Sequence, residues 1–299
     1  MRLRPDETLR QTLVVEAFRA LTWLGRVLPT TTGRVLFRWA GVAAFRVAGA
    51  ARARVAANQA RVLGRDPSDP LVQASTREAF RRYGRYWFDA FHIVGWDDER
   101  IRAAFRFEGF EHLEAALQAG SGAICVLPHM GNWDAAGMAM AVNGHPVVSV
   151  AERLEPERLF QLFLEHRAAL RMDILGLSAD ARVGRALASA LRSNRVVALV
   201  ADRDLSGKGI EVEMFGATRS LPTGPALLSL TTGAPIIVCD VFERPEGWVC
   251  VMHPPLALEP SDDRRSDAIA LTRQMGAAFE RAISASPPDW HLFQAGWAG

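Results

Sequence analysis

Cysteine is scarce in this chain of 299 residues, and lysine is almost absent. The three cysteines, Cys125, Cys239 and Cys250, each lie in an apolar run and form no Cys-x-x-Cys pair. They therefore indicate no disulfide framework, and we expect small buried side chains in a reducing compartment. The seven histidines show neither His-x-His nor His-x3-His spacing, so no metal site is expected. Only Lys208 is lysine among 35 basic residues, which we attribute to the base composition of the gene.

The sequence also lacks an apolar run that could cross a membrane as one helix. Two stretches without charged residues, 115–133 and 220–239, are interrupted by glycine or proline. A spanning helix needs about 20 continuous apolar residues. No uninterrupted apolar segment precedes a cleavage-like site near the N-terminus, so no signal peptide is expected. We therefore expect a soluble or peripheral protein.

Charge is unevenly distributed along a chain of ordinary globular composition. With 49% hydrophobic and 23% charged residues, the composition excludes collagen-like, coiled-coil and disordered proteins. The formal net charge is only +2, yet residues 1–65 carry twelve arginines against three acidic residues. A basic segment on a mildly acidic body suggests contact with anionic lipid or with nucleic acid.

The first hundred residues have the apolar spacing of amphipathic helices. Apolar side chains recur at helical intervals over Thr8–Leu28, where Pro29 is a stop signal, and again over Gly33–Arg65 and Pro70–Phe91. We predict three helices here. They form an N-terminal helical arm, residues 1–104, that packs on the rest of the chain.

From residue 105 onward, short β-like runs alternate with helical segments. The runs AICVLP, PVVSVAE, RVVALVAD, APIIVCDVF and GWVCVMH are typical of strands. This alternation predicts an α/β fold with a mixed, largely parallel central sheet and helices on both faces. We expect residues 105–299 to form this core, continuous with the arm.

Charged or titratable residues follow three of the predicted strands. In parallel sheets, sites lie at the carboxyl ends of strands. The rule selects Pro128–Asp134, Val150–Arg153 and Ala201–Asp204. We therefore expect the functional site to be built from these three segments.

His129 and Asp134 stand five residues apart across a predicted strand–turn–helix corner. An imidazole supported by a carboxylate can act as a general base. The pattern also has a purely structural interpretation, because Asn132 and Asp134 suit a helix N-terminus and His129 suits a loop. A carboxylate from the following loop, Asp202 or Asp204, is an alternative partner for His129.

The segment His129-Met-Gly-Asn-Trp-Asp134 resembles the His-x4-Asp/Glu signature of the lipid A biosynthesis acyltransferase family. Further segments match the family's motifs in the same order; they are Ala151-Glu152-Arg153 with Arg167, Ala201-Asp202-Arg203-Asp204, Phe215-Gly216, Pro222-x-Gly224-Pro225, Thr232-Gly233-Ala234-Pro235 and Pro288-x-Trp290-His291-x-Phe293-Gln294. Within the family, Asp134 and the Ala-Asp-Arg-Asp-Leu loop look most like the phosphatidylinositol mannoside acyltransferases.

The resemblance implies an acyl-CoA-dependent O-acyltransferase that needs no cofactor. Its expected reaction moves a palmitoyl-like group to a mannose hydroxyl, with no acyl-enzyme, at the cytoplasmic face of the inner membrane. It implies catalytic roles for four residues, which are His129, Asp134, Asp202 and Asp204. It implies substrate binding by five others, which are Glu152, Arg153, Arg167, Arg203 and Ser206. We expect Arg167 to bind a CoA phosphate or the reacting carbonyl, because its planar guanidinium forms a bidentate clamp.

Several alternatives remain open. The acceptor is a phosphatidylinositol mannoside or a lipid A precursor, or the site is that of a thioesterase in which His129 activates water. The basic arm either rests on an anionic membrane surface or packs with its arginines in water. A nucleic-acid partner is not expected, because no recognition motif accompanies the arginines.

Overall fold

The computed structural model describes residues 8–177 and 182–297. Four helices come first, and they are α1 (Leu9–Val27), α2 (Thr30–Val47), α3 (Gly49–Leu63) and α4 (Pro70–His92). The remaining elements are α5 (Asp98–Ala104), β1 (Phe105–Glu108), α6 (Phe110–Gln118), β2 (Ala123–Leu127), α7 (Trp133–Val142), β3 (Val147–Ala151), α8 (Glu157–Ala169), β4 (Asp173–Gly176), α9 (Arg182–Arg192), β5 (Val196–Val200), β6 (Ile210–Met214), β7 (Ala217–Leu221), α10 (Gly224–Thr232), β8 (Ile236–Glu243), β9 (Trp248–Met252) and α11 (Arg264–Ala285).

Side-chain caps stabilise the first turns of α1 and α4. The Thr8 backbone N–H donates to the Gln11 side chain at 2.8 Å, and the Gln11 N–H donates back to the Thr8 hydroxyl at 3.2 Å, which is a capping box. The Asp69 carboxylate accepts from the Leu71 N–H, and Pro70 occupies the first helical position of α4.

The prediction of one continuous helix over Gly33–Arg65 is wrong. The chain leaves helical geometry at Ala48, where φ is −90° and ψ is 65°, so α2 and α3 are separate helices. Gly49, which follows Ala48 and begins α3, is a weak local signal for this break, because glycine disfavours a helix interior. Tertiary packing decides it, because α3 contacts α4 and the C-terminal segment.

Helices α2 and α4 pack closely because each helix has a glycine that lies against the backbone of the other. A Cβ on Gly84 would lie 2.1 Å from the Phe37 carbonyl oxygen, and one on Gly41 would lie 2.2 Å from the Phe80 carbonyl oxygen. Neither position accepts a side chain without separating the helices. This contact fixes α4, which carries two residues of the candidate site described below.

The central sheet has seven strands in the order β1-β9-β8-β2-β5-β3-β4. Every neighbouring pair is parallel except β8 and β9, which are antiparallel. A separate antiparallel hairpin joins β6 and β7. The predicted fold class, a mixed and largely parallel sheet with helices on both faces, is confirmed.

Alternate residues of the strands pack into two apolar clusters, one on each face of the sheet. Ile124, Val126, Val197 and Val238 face a cluster that includes α9, α10 and α11. Cys125, Leu127 and Cys239 face the opposite cluster, which includes α7. Strands buried on both faces produce the continuous apolar runs seen in the sequence.

The helical arm is attached to the core by buried charges. The Arg85 guanidinium, 1% exposed, donates to Asp89 at 2.9 Å and to Glu243 of β8 at 2.6 Å. Arg38 of α2 meets the same Glu243 at 2.7 Å. Because a buried charge is costly without its partner, loss of Glu243 would weaken the contact between arm and core. The proposed domain boundary at 104/105 falls at the direct junction of α5 and β1, and it stays a prediction.

Candidate active site

His129 lies two residues beyond the end of β2, in the turn that leads into α7. Gly131 within this turn has a φ of 61°, and a Cβ there would lie 2.2 Å from the Val241 carbonyl oxygen, so only glycine fits. The Asn132 side chain then caps α7 by accepting from the Ala135 N–H at 2.9 Å. Capping by Asn132 and the position of Asp134 in the first helical turn match the structural interpretation of the motif.

The sheet register brings His129 and Asp202 together. Leu127 at the end of β2 pairs with Val200 at the end of β5, and each of the two site residues follows its strand by two positions. His129 Nδ1 lies 2.5 Å from Asp202 Oδ1. The imidazole is 22% exposed, whereas the Asp202 side chain is completely buried. The structure thus selects Asp202 as the carboxylate beside His129.

Asp202 has further partners that stabilise its charge. The Trp290 indole N–H donates to Asp202 Oδ2 at 2.8 Å, and the Arg219 guanidinium donates to the Asp202 backbone carbonyl. Burial by itself would raise the pKa of Asp202. The facing His129 imidazole, Arg219 and the Trp290 N–H instead hold that pKa well below its usual range. Asp202 therefore remains ionised at neutral pH.

The C-terminal segment closes over the histidine turn. The His291 backbone N–H donates to the His129 carbonyl at 2.7 Å, and the Gly131 N–H donates to the Asp289 carbonyl at 2.9 Å. Asp289 is held in turn by Arg82 of α4 at 2.8 Å. The backbone carrying His129 is therefore fixed from the arm and from the C-terminus at once.

Asp134 is directed away from His129. Its Oδ2 accepts from the Tyr86 hydroxyl at 2.7 Å, and its Oδ1 lies 3.1 Å from Arg167 Nε. No hydrogen bond joins Asp134 to His129 in the described part of the chain. Burial, followed by the adjacent Asp134 charge, raises the pKa of Tyr86 well above its usual value. Asp134 thus forms a second polar group beside the His129–Asp202 pair.

Arg167 is buried rather than displayed at the surface. It is 9% exposed, and its guanidinium lies 4.2 Å from the centre of the Phe163 ring. With Asp134 it contributes the charge to a cavity whose walls are otherwise mainly apolar. This setting favours contact with a reacting group inside the cavity over contact with CoA phosphates in solvent.

The cavity lies on the α7 face of the sheet. Its walls come from β2, β3, β5, β8, β9 and α7, and they include Leu127, Trp133, Met140, Val147, Val150, Ala198, Val200, Val241 and Met252. The Trp133 ring lies 5.3 Å from the His129 imidazole, centre to centre. The Trp133 side chain therefore contacts both the cavity and the candidate base.

The remaining predicted residues lie around the strand ends. Glu152 pairs with Arg203 at 3.4 Å, which joins the ends of β3 and β5. Arg153 instead pairs with Glu157 of α8 at 3.1 Å, and both side chains are exposed. Asp204 and Ser206 form a turn, in which the Asp204 carboxylate accepts from the Ser206 hydroxyl at 2.7 Å. Asp204 is therefore not a partner of His129.

Sequence reasoning assigned no role in the site to Tyr86, Arg219 or Trp290. Tyr86 belongs to the apolar face of a predicted helix, and its role depends on where α4 docks. Trp290 was visible only within the C-terminal family motif. In residues 8–177 and 182–297, no group of three or more His, Cys, Asp or Glu side chains converges as metal ligands would.

The sequence places the chain in an acyltransferase family. The family model described as bacterial lipid A biosynthesis acyltransferase matches residues 7–298, and the chain belongs to this family. The phosphatidylinositol mannoside acyltransferase of Mycobacterium tuberculosis (strain ATCC 25618 / H37Rv) is 39% identical over 246 residues, which cover 80% of this chain and 75% of that protein. The protein of the same name from Mycolicibacterium smegmatis is 36% identical over 241 residues, covering 80% and 77% respectively.

Proposed function

We propose that the protein transfers a fatty acyl group, palmitoyl-like in length, from acyl-CoA to a mannose hydroxyl of a phosphatidylinositol mannoside. The observation that carries the proposal is the 2.5 Å contact between His129 and the buried Asp202 at the end of adjacent strands. The names of the relatives support the acceptor. The apolar cavity supports a fatty acyl substrate.

His129 acts as the general base of this reaction. Asp202 accepts from Nδ1–H, which leaves Nε2 as the basic nitrogen. As the mannose oxygen attacks the thioester carbonyl, its proton passes to Nε2, and Asp202 stabilises the resulting imidazolium. The same nitrogen then returns the proton to the departing CoA thiolate, so protons balance over the cycle.

Arg167 is proposed to stabilise the oxyanion that forms at the thioester carbonyl. It is one of two charged residues that line the cavity within the described ranges, and Asp134 fixes its position. A guanidinium held beforehand in an apolar cavity stabilises developing negative charge without reorganisation. Glu152, Arg153, Arg203 and Ser206, near the ends of β3 and β5, are then proposed to bind the sugar or the CoA portion.

The acyl group moves directly, with no acyl-enzyme. The cysteine thiols line the cavity, but the pKa of Cys125 is raised well above its usual value by its contact with Cys239 and by burial. A protonated thiol is a poor nucleophile. Protein mixed with palmitoyl-CoA without an acceptor should therefore keep its unmodified mass, and a stable increase of one palmitoyl group would refute direct transfer.

The arm is proposed to rest on the cytoplasmic face of the inner membrane as a peripheral contact. Each helix in the described ranges is too short or too polar to span a bilayer. Several large apolar side chains of α1 and α2 are nevertheless exposed, among them Leu13, Trp23, Leu36 and Trp39. Exposed apolar side chains interleaved with arginine suit an anionic interface.

The decisive test is a product analysis. Purified protein is incubated with palmitoyl-CoA and either a phosphatidylinositol mannoside or a lipid A precursor, and the lipids are identified by mass spectrometry. We expect a palmitoylated mannoside, and His129→Ala should lower its rate of formation by at least about 10²-fold. Acylation of the lipid A precursor alone, or steady release of free fatty acid, would overturn the proposed acceptor.

A further inference from the structure

A second depression lies on the side of the arm, between α1 and α8. It is a cleft of about 420 Å³, and its lining includes Arg19, Thr22, Trp23, Arg26, Glu165 and His166. None of these residues belongs to the cavity beside His129. We call it the α1–α8 cleft.

One face of α1 supplies the cationic side of the cleft. Arg19, Thr22 and Arg26 are spaced by three and four residues, so they share a face of the helix. Arg19 has one exposed partner, Glu16, at 3.4 Å. Across the cleft, α8 contributes Glu165 as the only acidic residue among the described ones that line it, so the two arginines give the lining a net positive charge.

His166 gives the cleft a buried polar group that lacks a protein partner. The side chain is 3% exposed, and neither ring nitrogen has a hydrogen-bond partner among the residues that the structure describes. The Phe91 ring stands edge-on at 5.1 Å and offers it none. Buried polar atoms in folded proteins are nearly always satisfied, so a polar ligand in the cleft accounts for this imidazole.

The lining faces a membrane if the arm lies as proposed. At helical spacing, Leu9, Leu13, Trp23 and Val27 form one stripe along α1, and each is more than half exposed. Trp23 also lines the cleft, so the apolar stripe and the cationic cleft are adjacent. A side chain in this stripe would enter the apolar region of a bilayer with the cleft at headgroup level.

We infer that the α1–α8 cleft binds the phosphate group of an anionic membrane phospholipid, with Arg19 and Arg26 on the phosphate oxygens and His166 on a phosphate or headgroup oxygen. Arginine is suited to phosphate because its donors match two oxygens at once. The inference takes the source of the phosphate from the membrane contact proposed above. It does not depend on acyl transfer, so it can be tested in the inactive His129→Ala protein.

The state of His166 agrees with this role. Burial, together with Arg26 and Arg167 and against the opposing influence of Asp134, lowers the pKa of His166 to about 4. The charged groups that line the cleft with it are Arg19 and Arg26 of α1 and Glu165, the residue before it on α8. A neutral ring keeps one donor and one acceptor nitrogen, and bound phosphate would raise its pKa by adding negative charge.

The test uses the full chain carrying His129→Ala and vesicles of phosphatidylcholine with 30% phosphatidylinositol. Arg26→Gln and Arg19→Gln should each weaken vesicle binding at least about tenfold, the usual consequence of losing a charged hydrogen bond. The matched control is Arg10→Gln, which removes the same charge from the other flank of the apolar stripe and does not line the cleft. Arg10→Gln should weaken vesicle binding by no more than about fivefold.

Equal losses in all three variants would indicate diffuse attraction and overturn the site. A second measurement follows the His166 ring by NMR during titration with a short-chain phosphatidylinositol below its micellar concentration and, separately, with inorganic phosphate. We expect the lipid to shift the His166 signals at a concentration at least about tenfold lower than inorganic phosphate does, because the apolar stripe adds contact with the lipid chains. Equal potency would assign the cleft to free phosphate and overturn the lipid as its ligand, and unchanged signals in both titrations would overturn phosphate binding.

Discussion

The Trp290 indole N–H lies 2.8 Å from Asp202 Oδ2, the carboxylate oxygen that His129 does not use. A residue 88 positions farther along the chain thus completes the hydrogen bonding of the acid that orients the candidate base. The adjoining backbone of His291 also holds the His129 carbonyl. The C-terminal segment is therefore part of the candidate site.

Trp290→Phe should lower kcat because it removes this one donor and keeps an aromatic ring. A hydrogen bond to a charged group is worth roughly 1.5–3 kcal/mol, so we expect kcat to fall about tenfold or more. Trp290 does not line the cavity proposed to hold the acyl chain, so the KM for palmitoyl-CoA should stay within about twofold. The control is Trp297→Phe, which makes the same change at an indole whose Nε1 has no hydrogen-bond partner within the described ranges. Equal effects of both variants would contradict the positioning role.

Asp202→Asn and Asp204→Asn should behave very differently. A neutral amide in place of the Asp202 carboxylate cannot stabilise the imidazolium, and we expect kcat to fall by about 10²-fold or more. Asp204 accepts from Ser206, Gly209 and Ser220 rather than from His129. Its substitution should leave kcat nearly unchanged while costing about 1 kcal/mol of stability. Steady-state kinetics and urea unfolding separate the two outcomes, and a large fall in kcat for Asp204→Asn would reverse the assignment.

Much of the fold was predictable, because strand and helix patterns are local. Buried strands such as β2 and β5 have continuous apolar runs, and their alternation with helices predicts a parallel sheet. The interruption at Ala48 was not predicted, because the one weak helix former there, Gly49, is also tolerated inside helices. It depends on contacts between α3 and elements more than 200 residues away, such as the 3.0 Å hydrogen bond from Asn58 to the Leu292 carbonyl.

The strand ends that form the candidate site were predictable, but the contacts between their side chains were not. The strand-end rule selects His129 and Asp202 separately, and only the register of β2 with β5 joins them. Sequence proximity instead suggested Asp134 as the partner. That carboxylate turns to Tyr86 and Arg167, because α4 and α8 pack against the start of α7 from outside the sheet.

Tyr86→Phe should destabilise the protein by leaving the buried Asp134 with one fewer donor. We expect a loss of about 2 kcal/mol in the free energy of unfolding, the usual cost of an unsatisfied buried charged group. Tyr83→Phe is the matched control, because Tyr83 stacks on Tyr86 with ring centres 5.6 Å apart and does not bond Asp134. In the same urea titration, Tyr83→Phe should lower the free energy of unfolding by less than half as much as Tyr86→Phe. Equal costs would mean that the hydroxyl of Tyr86 contributes only packing.

His291 should make the folded state sensitive to acid. Burial, followed by repulsion from Arg82 and His129, lowers the pKa of His291 to about 3. In the unfolded chain the same imidazole takes up a proton near pH 6.5, so stability is full above that pH and falls as the pH drops toward 3. Between pH 7 and pH 4, protonation of this one imidazole in the unfolded chain should lower the free energy of unfolding by about 3 kcal/mol.

His291→Phe keeps an aromatic ring beside Tyr83 and Tyr86, whose ring centres lie 5.4 and 5.8 Å away, and it removes the titrating nitrogens. Urea unfolding at pH 7 and pH 4 should therefore give a stability difference about 3 kcal/mol smaller than in the parent protein. The control is His145→Phe, which makes the same exchange at a partly exposed histidine beside Phe110. An unchanged difference in His291→Phe would mean that the buried imidazole is not held neutral, because a group with the same proton affinity in both states contributes nothing to the pH dependence of folding.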